Sequence, residues 1–340
     1  MCMIAGYAGK KTAAPILIEM LKKEEFIDGG LSTGIATIHE GKLYTAKVIG
    51  DVDTLLRETN ALELPGTVGI IHSRTAGNFL NHAHPFLSAD EELALVLNGT
   101  FREVMSPGFM EEDNAIMREF YERGIEIRSA VENPPDYTGY RKLPTGQGYH
   151  SSECYALMVG DQVARSSDET IGEDLVNAVQ NAVSRLPADI VLLGVHARLP
   201  DTITVGDVTR SMVCGYGDGE MYLATSALAF PEEVQKRPVT LLPPCSIAQV
   251  TPKGVTIRNE AFDGVRVEPI TPRALSIVRE RLEKILTGQK DAPVSTYDIP
   301  LYEEWREIWT EPYVDCKFAS PTGLLKPYAT IIYEVLWGFH

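Results

Sequence analysis

No apolar run in this 340-residue chain approaches the roughly 20 residues that a membrane-spanning helix requires. The N-terminus has no charged segment followed by an apolar one, so no secretory signal is expected. Cysteine is scarce. The five residues Cys2, Cys154, Cys214, Cys245 and Cys316 are scattered, odd in number and never spaced as CxxC. That pattern points to a reducing cytoplasm and away from disulfides, a zinc site or any other metal. Basic residues are outnumbered, 31 Lys and Arg against 47 Asp and Glu, for a formal net charge of -16. With no basic run to offset that charge, a nucleic-acid partner is excluded. Repeats and low-complexity tracts are absent. What remains is ordinary for a globular protein: 44% hydrophobic and 23% charged residues, enough for one large domain or two modest ones.

Pattern reading gives a mixed chain. CMIAGYAG reads as a buried strand, and TAAPILIEMLKKEEF as an amphipathic helix with Thr12 as N-cap. STGIATIHEGKLYTAKVIG reads as a hairpin turning at Glu40-Gly41. PGTVGIIHSRT is a strand running into a polar loop, and ELALVLNGT a strand that stops at Asn98-Gly99. EEDNAIMREFYERG predicts a helix and IEIRSA a strand. Residues 131 to 150 carry too much Pro and Gly for regular structure. A loop that long in a compact domain is functional or disordered. Helices resume at SSECYALMVGD, capped by Ser151 or Ser152, and at EDLVNAVQNAVSRL. A run of strands follows to about residue 262. After residue 265 the pattern predicts a mostly helical extension, PRALSIVRERLEKILTG and LLKPYATIIYEVLW. Hairpins and strand runs predict an α+β fold with antiparallel sheets and helices outside, not a doubly wound parallel sheet.

Four places could carry chemistry. With the initiator Met removed, Cys2 presents a thiol and a free α-amine on one residue, whose ordinary pKa values of about 8.5 and 8 allow proton transfer between them. The competing reading is a small buried apolar cysteine. Arg74 ends an apolar strand, and its donor fork suits a substrate carboxylate, or else a surface ion pair. Asn98 and Gly99 could hold a developing oxyanion through a side-chain amide and a closely approached backbone N–H; an ordinary Asn-Gly turn is the commoner arrangement. The helix start at residues 151 to 153 is the fourth. His72, His82 and His84 cluster in sequence, but no carboxylate or cysteine completes a ligand set, so they read as side chains bracing a loop.

Taken together, MCMIAGYAG, LSTGIA, TVGIIHSRTA, NHAHPF, LVLNG, YERGIEIRSA and CGYGDGEMYLATSALAF resemble the class II glutamine amidotransferases. The pattern is that of the glutaminase domain of glucosamine-fructose-6-phosphate aminotransferases, over roughly residues 2 to 262. The resemblance implies the N-terminal nucleophile (Ntn) hydrolase fold, an αββα sandwich over residues 1–265, with the helical extension over 266–340. It implies Cys2 as nucleophile with its own α-amine as base, and Asn98 with Gly99 as oxyanion hole. Arg74 would clamp the glutamine carboxylate, with Thr75, Ser152 and Glu153 completing the substrate contacts. Ammonia would leave through a Cys2 thioester, with no cofactor.

Several family positions differ. Met3 replaces a glycine, and Thr75-Ala76-Gly77-Asn78-Phe79 replaces Trp-Ala-Thr-His-Gly. Leu97 replaces a histidine, and Ser151-Ser152-Glu153 replaces the Asp-Thr-Glu that binds the substrate ammonium. A charge-assisted contact is worth about 1.5–3 kcal/mol, so either Glu153 substitutes or the amide is not glutamine. The implied partners are L-glutamine or another small amide, and a separate synthase subunit accepting ammonia. The extension is equally suited to cover the sandwich, form a homo-oligomer contact or dock that subunit. A catalytically silent binding member of the fold is the remaining alternative.

Overall fold

The computed structural model describes residues 2–25, 29–75, 79–100, 108–134, 141–208, 210, 212–259 and 261–262, with the backbone of 266–267, 316–317 and 324–325. In chain order the main elements are β1 (Met3–Ala8), α1 (Ala13–Glu25), β2 (Ser32–His39), β3 (Lys42–Ile49), α2 (Val52–Glu58) and β4 (Val68–Arg74). Then come β5 (Phe86–Leu87), β6 (Leu93–Thr100), α3 (Phe109–Glu122), α4 (Ser151–Val163), α5 (Ile171–Arg185), β7 (Asp189–His196) and β8 (Ile203–Asp207). β9 (Val213–Tyr216), β10 (Met221–Ala224), α6 (Glu232–Gln235), β11 (Thr240–Leu241), β12 (Ser246–Thr251) and β13 (Gly254–Arg258) complete the sandwich.

Among the described residues every strand pairing is antiparallel. One sheet has seven strands in the order β11-β9-β10-β1-β4-β2-β3, the other six in the order β13-β12-β8-β7-β6-β5. Side-chain alternation then assigns each strand two apolar faces. Ile4, Ala8, Val68 and Ile70 of the first sheet meet Ala94, Val96, Val191 and Leu193 of the second in a dry middle layer. The alternate residues Met3, Ala5, Tyr7 and Ile71 pack outward on Leu17 and Leu21 of α1 and Leu55 of α2. On the far side Leu93, Leu95, Leu97 and Leu192 pack on α3, α4 and α5. The layers are helix, sheet, sheet, helix, as the α+β sandwich reading expected. The hairpin turns at Glu40 and Gly41, with φ of 49° and 71°, the left-handed pair that matches the strand twist.

Three local expectations are corrected. Asn98 and Gly99 do not end their strand: Asn98 pairs with Val191, Gly99 with Ile190 and Thr100 with Asp189. IEIRSA forms no strand, because the backbone amides of Arg128 and Ser129 are taken by the Glu153 carboxylate instead of a neighbouring strand. The cap of α4 is His150, whose Nδ1 accepts the Ser152 amide at 3.1 Å, and neither serine serves. Residues 131–134 and 141–150 hold only the isolated bridges from Gly148 to Val131 and Lys142. The helix expected over 272–288 lies outside the described residues, as does the one expected from Leu324 apart from its first two residues, which form a strand instead; Arg266–Val267 pairs with Cys316–Lys317, and that with Leu324–Leu325.

Candidate active site

Register decides which side chains meet at one end of the sandwich. Ile4 on β1 faces His72 on β4, so Cys2, one residue ahead of β1, falls level with Arg74. Directly opposed residues share a face. Cys2, His72 and Arg74 therefore continue the row Ile4, Ile70 and Val68 into the gap between the sheets. On the second sheet Asn98 continues the row Ala94 and Val96 into the same gap.

The contacts tie these rows together. The half-buried Cys2 thiol interacts with the His72 side chain and accepts the Thr75 backbone amide. Burial pushes the thiol up; the hydrogen bond and charge of His72, then the positive charge of the chain's N-terminus and the Thr75 amide, outweigh it and bring Cys2 down to about 6. His72 is fully buried, and its Nε2 donates to the Leu97 carbonyl at 3.0 Å. Leu97 immediately precedes Asn98. Asn98, expected to hold an oxyanion, therefore stands one residue from the carbonyl that contacts His72. Asn98 is 1% exposed; its Oδ1 accepts Arg210 Nη1 at 3.5 Å, while Nδ2 is buried without a partner. An unpaired buried donor is costly.

The remaining expected residues surround this centre unequally. The His72 ring stacks on His84 at 3.8 Å, and His84 Nε2 lies 3.1 Å from Ser152 Oγ, so Ser152 joins the cluster. His150 closes it from behind, its ring 5.6 Å from His84 and 5.4 Å from His82. Burial pulls His84 and His150 well below the ordinary histidine range and His82 to about 4, so all three stay uncharged at neutral pH. Arg74 Nη1 donates to the His82 carbonyl at 3.0 Å, which holds the guanidinium against the 79–85 loop. Glu153 faces the other way. Its two oxygens accept the amides of Arg128 at 2.7 Å and Ser129 at 2.8 Å, and burial raises its pKa. Ser151 donates to Asp113 at 2.5 Å. Among the described residues, no group of three or more His, Cys, Asp or Glu is placed to hold a metal ion.

Sequence reading missed His72 as the partner of Cys2, and Arg210 as the partner of Asn98. The first was recoverable: His72 stands two residues before Arg74 and so shares its face. The second was not, since Arg210 lies in a loop with no pattern around it.

Two stacked antiparallel sheets between helical layers are the architecture of the Ntn hydrolases. The chain is related to the class II glutamine amidotransferases among them. No protein-family model matches it. It is 28% identical over 233 residues to the glutamine–fructose-6-phosphate aminotransferase of Pyrococcus horikoshii, covering 68% of this chain and 33% of that one. The same enzyme of Gloeobacter violaceus is 29% identical over 288 residues, 84% of this chain and 41% of the other. The chain thus spans about a third to two-fifths of the length of these relatives. Among solved structures, the glutamine phosphoribosylpyrophosphate amidotransferase of B. subtilis shares the fold with a TM-score of 0.56 at 16% identity, over 86% of this chain and 59% of that one. A structure described as the allosteric regulatory enzyme of purine biosynthesis superposes with a TM-score of 0.58 at 15% identity and the same coverage.

Proposed function

We propose that this chain is a glutaminase-type amidohydrolase that frees ammonia from a carboxamide through a Cys2 thioester. The observation that carries the proposal is the pairing of the Cys2 thiol with His72, at a mouth where the buried Asn98 Nδ2 has no partner. In this reading the Cys2 sulfur attacks the amide carbon, and Asn98 Nδ2 with the Gly99 backbone receives the oxyanion. The carbon–nitrogen bond breaks with proton return to nitrogen, and water hydrolyses the thioester. The Cys2 α-amine, freed by removal of Met1, takes the thiol proton as general base and returns it to the departing nitrogen. Arg74 and Thr75 hold the substrate carboxylate. Residues 1–265 form the amidohydrolase unit, and 266–340 the segment that packs on it, on a second copy, or on a separate synthase subunit that takes the ammonia. The location is the cytoplasm. Among the described residues, no helix is long and apolar enough to cross a membrane.

The test is ammonia release from L-glutamine by the wild type and Cys2→Ala, together with intact mass after exposure to a glutamine analogue bearing a diazoketone. Release by the wild type alone, and a single adduct on Cys2, support the proposal. Release that survives Cys2→Ala overturns it.

A second reading keeps the chemistry and changes the amide. Glu153 is engaged by two backbone amides and Ser151 by Asp113, so the helix start offers a substrate ammonium no uncommitted carboxylate. A panel of carboxamides with and without an α-amino group separates the two: preference for the latter favours this second reading.

A further inference from the structure

We propose that His72 is a positioning residue for amide hydrolysis: through its hydrogen bond to the Leu97 carbonyl it holds Asn98 in place relative to the strand that follows Cys2. The inference rests on the amidohydrolase reading and names the link that aligns its two halves.

The two halves belong to different sheets. Cys2 precedes β1 of the first, and Asn98 lies on β6 of the second. The layer between them is Ile4, Ile70, Ala94, Val96 and their neighbours, whose apolar contacts have no direction. In a reaction site a misplacement of about 1 Å costs about 10²-fold in rate. His72 supplies a directional contact across that layer. It stands on β4 opposite Ile4, two residues along the ladder from the level of Cys2. Its ring crosses to the second sheet, where Nε2 lies 3.0 Å from the Leu97 carbonyl oxygen. A carbonyl oxygen only accepts, so Nε2 carries a proton.

Strand geometry explains why that carbonyl is open to a side chain. Leu93 accepts the Ser88 amide and donates to Ser88 Oγ, both at 3.0 Å, so its backbone groups face β5. The polar groups of every second residue point to the same side of a strand, which turns those of Leu95 and Leu97 the same way. β5 ends with Phe86 opposite Leu95. One step further, at Leu97, the His72 ring takes the place that a longer β5 would fill. His72 is fully buried and Leu97 is 1% exposed, so the bond satisfies an acceptor that water does not reach. The Leu97 oxygen and Asn98 Cα share one rigid peptide plane. The ladder to β7 flanks that plane on its other side, with Asn98 opposite Val191. The ring is itself held by its stack on His84 at 3.8 Å, and His84 Nε2 lies 3.1 Å from Ser152 Oγ. A shift of His72 therefore moves the peptide that carries the oxyanion donor.

The test is ammonia release from L-glutamine and a panel of carboxamides by the full chain as wild type, His72→Gln, His72→Phe, Asn98→Ala and the two double variants. Gln keeps an N–H donor near the place of Nε2, and Phe keeps a flat ring without one. Alkylation of Cys2 by iodoacetamide against pH, read by mass on the N-terminal peptide, gives each protein's midpoint. Rates are compared above that midpoint, so that the thiol is ionised in all of them. His72→Phe is expected to lower kcat by about 10²-fold with KM nearly unchanged, and His72→Gln to stay within about tenfold of the wild type. Added to Asn98→Ala, either change should cost less than about threefold more, because its route to the reaction is already gone. Losses that add in the double variants, a KM that rises while kcat holds, or a His72→Gln loss as large as that of Asn98→Ala overturns the assignment. His72→Gln decides the matter if His72→Phe fails to fold. Spectra of protein labelled with 15N-histidine locate the His72 proton without turnover, and a proton on Nδ1 alone also overturns it. A wild type inert toward every amide, with the proton on Nε2, sinks the amidohydrolase reading and leaves the link between the sheets standing.

Discussion

Arg210 Nη1 reaches Asn98 Oδ1 at 3.5 Å, and this contact orients the asparagine. With the oxygen on the guanidinium, the buried amide nitrogen is left as a donor without a partner. Asn98→Ala is therefore expected to lower kcat for amide hydrolysis by about 10²–10³-fold with little change in KM, the signature of a donor used mainly in the transition state. Stability should fall modestly, because the buried Arg210 guanidinium loses its Asn98 acceptor while the lost Nδ2 has no partner. Steady-state kinetics beside a thermal melt checks both. A rise in KM at constant kcat would instead make Asn98 a ground-state contact.

Glu153 braces the 125–130 segment from the first turn of α4. Replacing it with Gln turns one oxygen into a donor facing a backbone N–H. Urea unfolding of Glu153→Gln is expected to show a loss of about 1–3 kcal/mol, the cost of an unsatisfied buried group. If Glu153 also receives a substrate ammonium, KM rises in the same variant while kcat holds. Unchanged stability would show that the two amide bonds are replaceable.

Glu24 in α1 is fully buried, and burial raises its pKa well above 4.5 against the opposing pull of the Ser226 amide, which it accepts at 2.6 Å. The folded chain therefore keeps this proton at pH values where the unfolded chain has lost it. Unfolding then releases a proton, so the Glu24 contribution is full below the ordinary carboxyl range and falls as pH rises. Buried histidines such as His82, with lowered pKa values, give the opposite slope. The difference between wild type and Glu24→Gln isolates the carboxyl: the variant should gain on the wild type as pH rises above the ordinary carboxyl range. A parallel pair of Tm–pH curves would remove Glu24 as a titrating group.

Much of this was legible in the sequence because apolar periodicity fixes faces. β1, β4 and β6 were expected strands, and alternation sets Cys2 on the face of Ile4, Arg74 on that of Ile70 and Asn98 on that of Val96; only the packing of the two sheets brings those faces together. What stayed hidden depended on partners far away in the chain. IEIRSA has strand-forming residues, but its backbone amides go to Glu153, which lies 24 and 25 residues further on. Asn98-Gly99 has the composition of a turn, yet pairing with Ile190 and Val191 carries the strand past it. His150 caps α4 where two serines stood ready, because the serine hydroxyls are drawn to Asp113 and His84. In each case a tertiary hydrogen bond overrode a local preference.

Gly34 on β2 gives the last prediction, since it sets the position of the histidine stack without touching substrate. A Cβ there would stand 2.1 Å from the His84 carbonyl oxygen and 2.7 Å from Lys47 Cβ. Neither neighbour can yield easily: Lys47 Nζ holds the Ala83 and Pro85 carbonyls at 3.2 Å each. Gly34→Ala is expected to push the 83–85 segment outward, part the His72–His84 stack, and cost about 1–3 kcal/mol by overpacking. Amide hydrolysis should fall with it, and the Cys2 alkylation midpoint should rise as His72 loses its support. Gly41→Ala is the control: that residue has φ of 71° with nothing within 4 Å of its added Cβ, so the change strains the hairpin turn and leaves the stack alone. Loss of stability in both variants, but a shifted alkylation midpoint only in Gly34→Ala, ties the stack to the thiol. Equal midpoints would mean that His72 is held well enough by the Leu97 carbonyl alone.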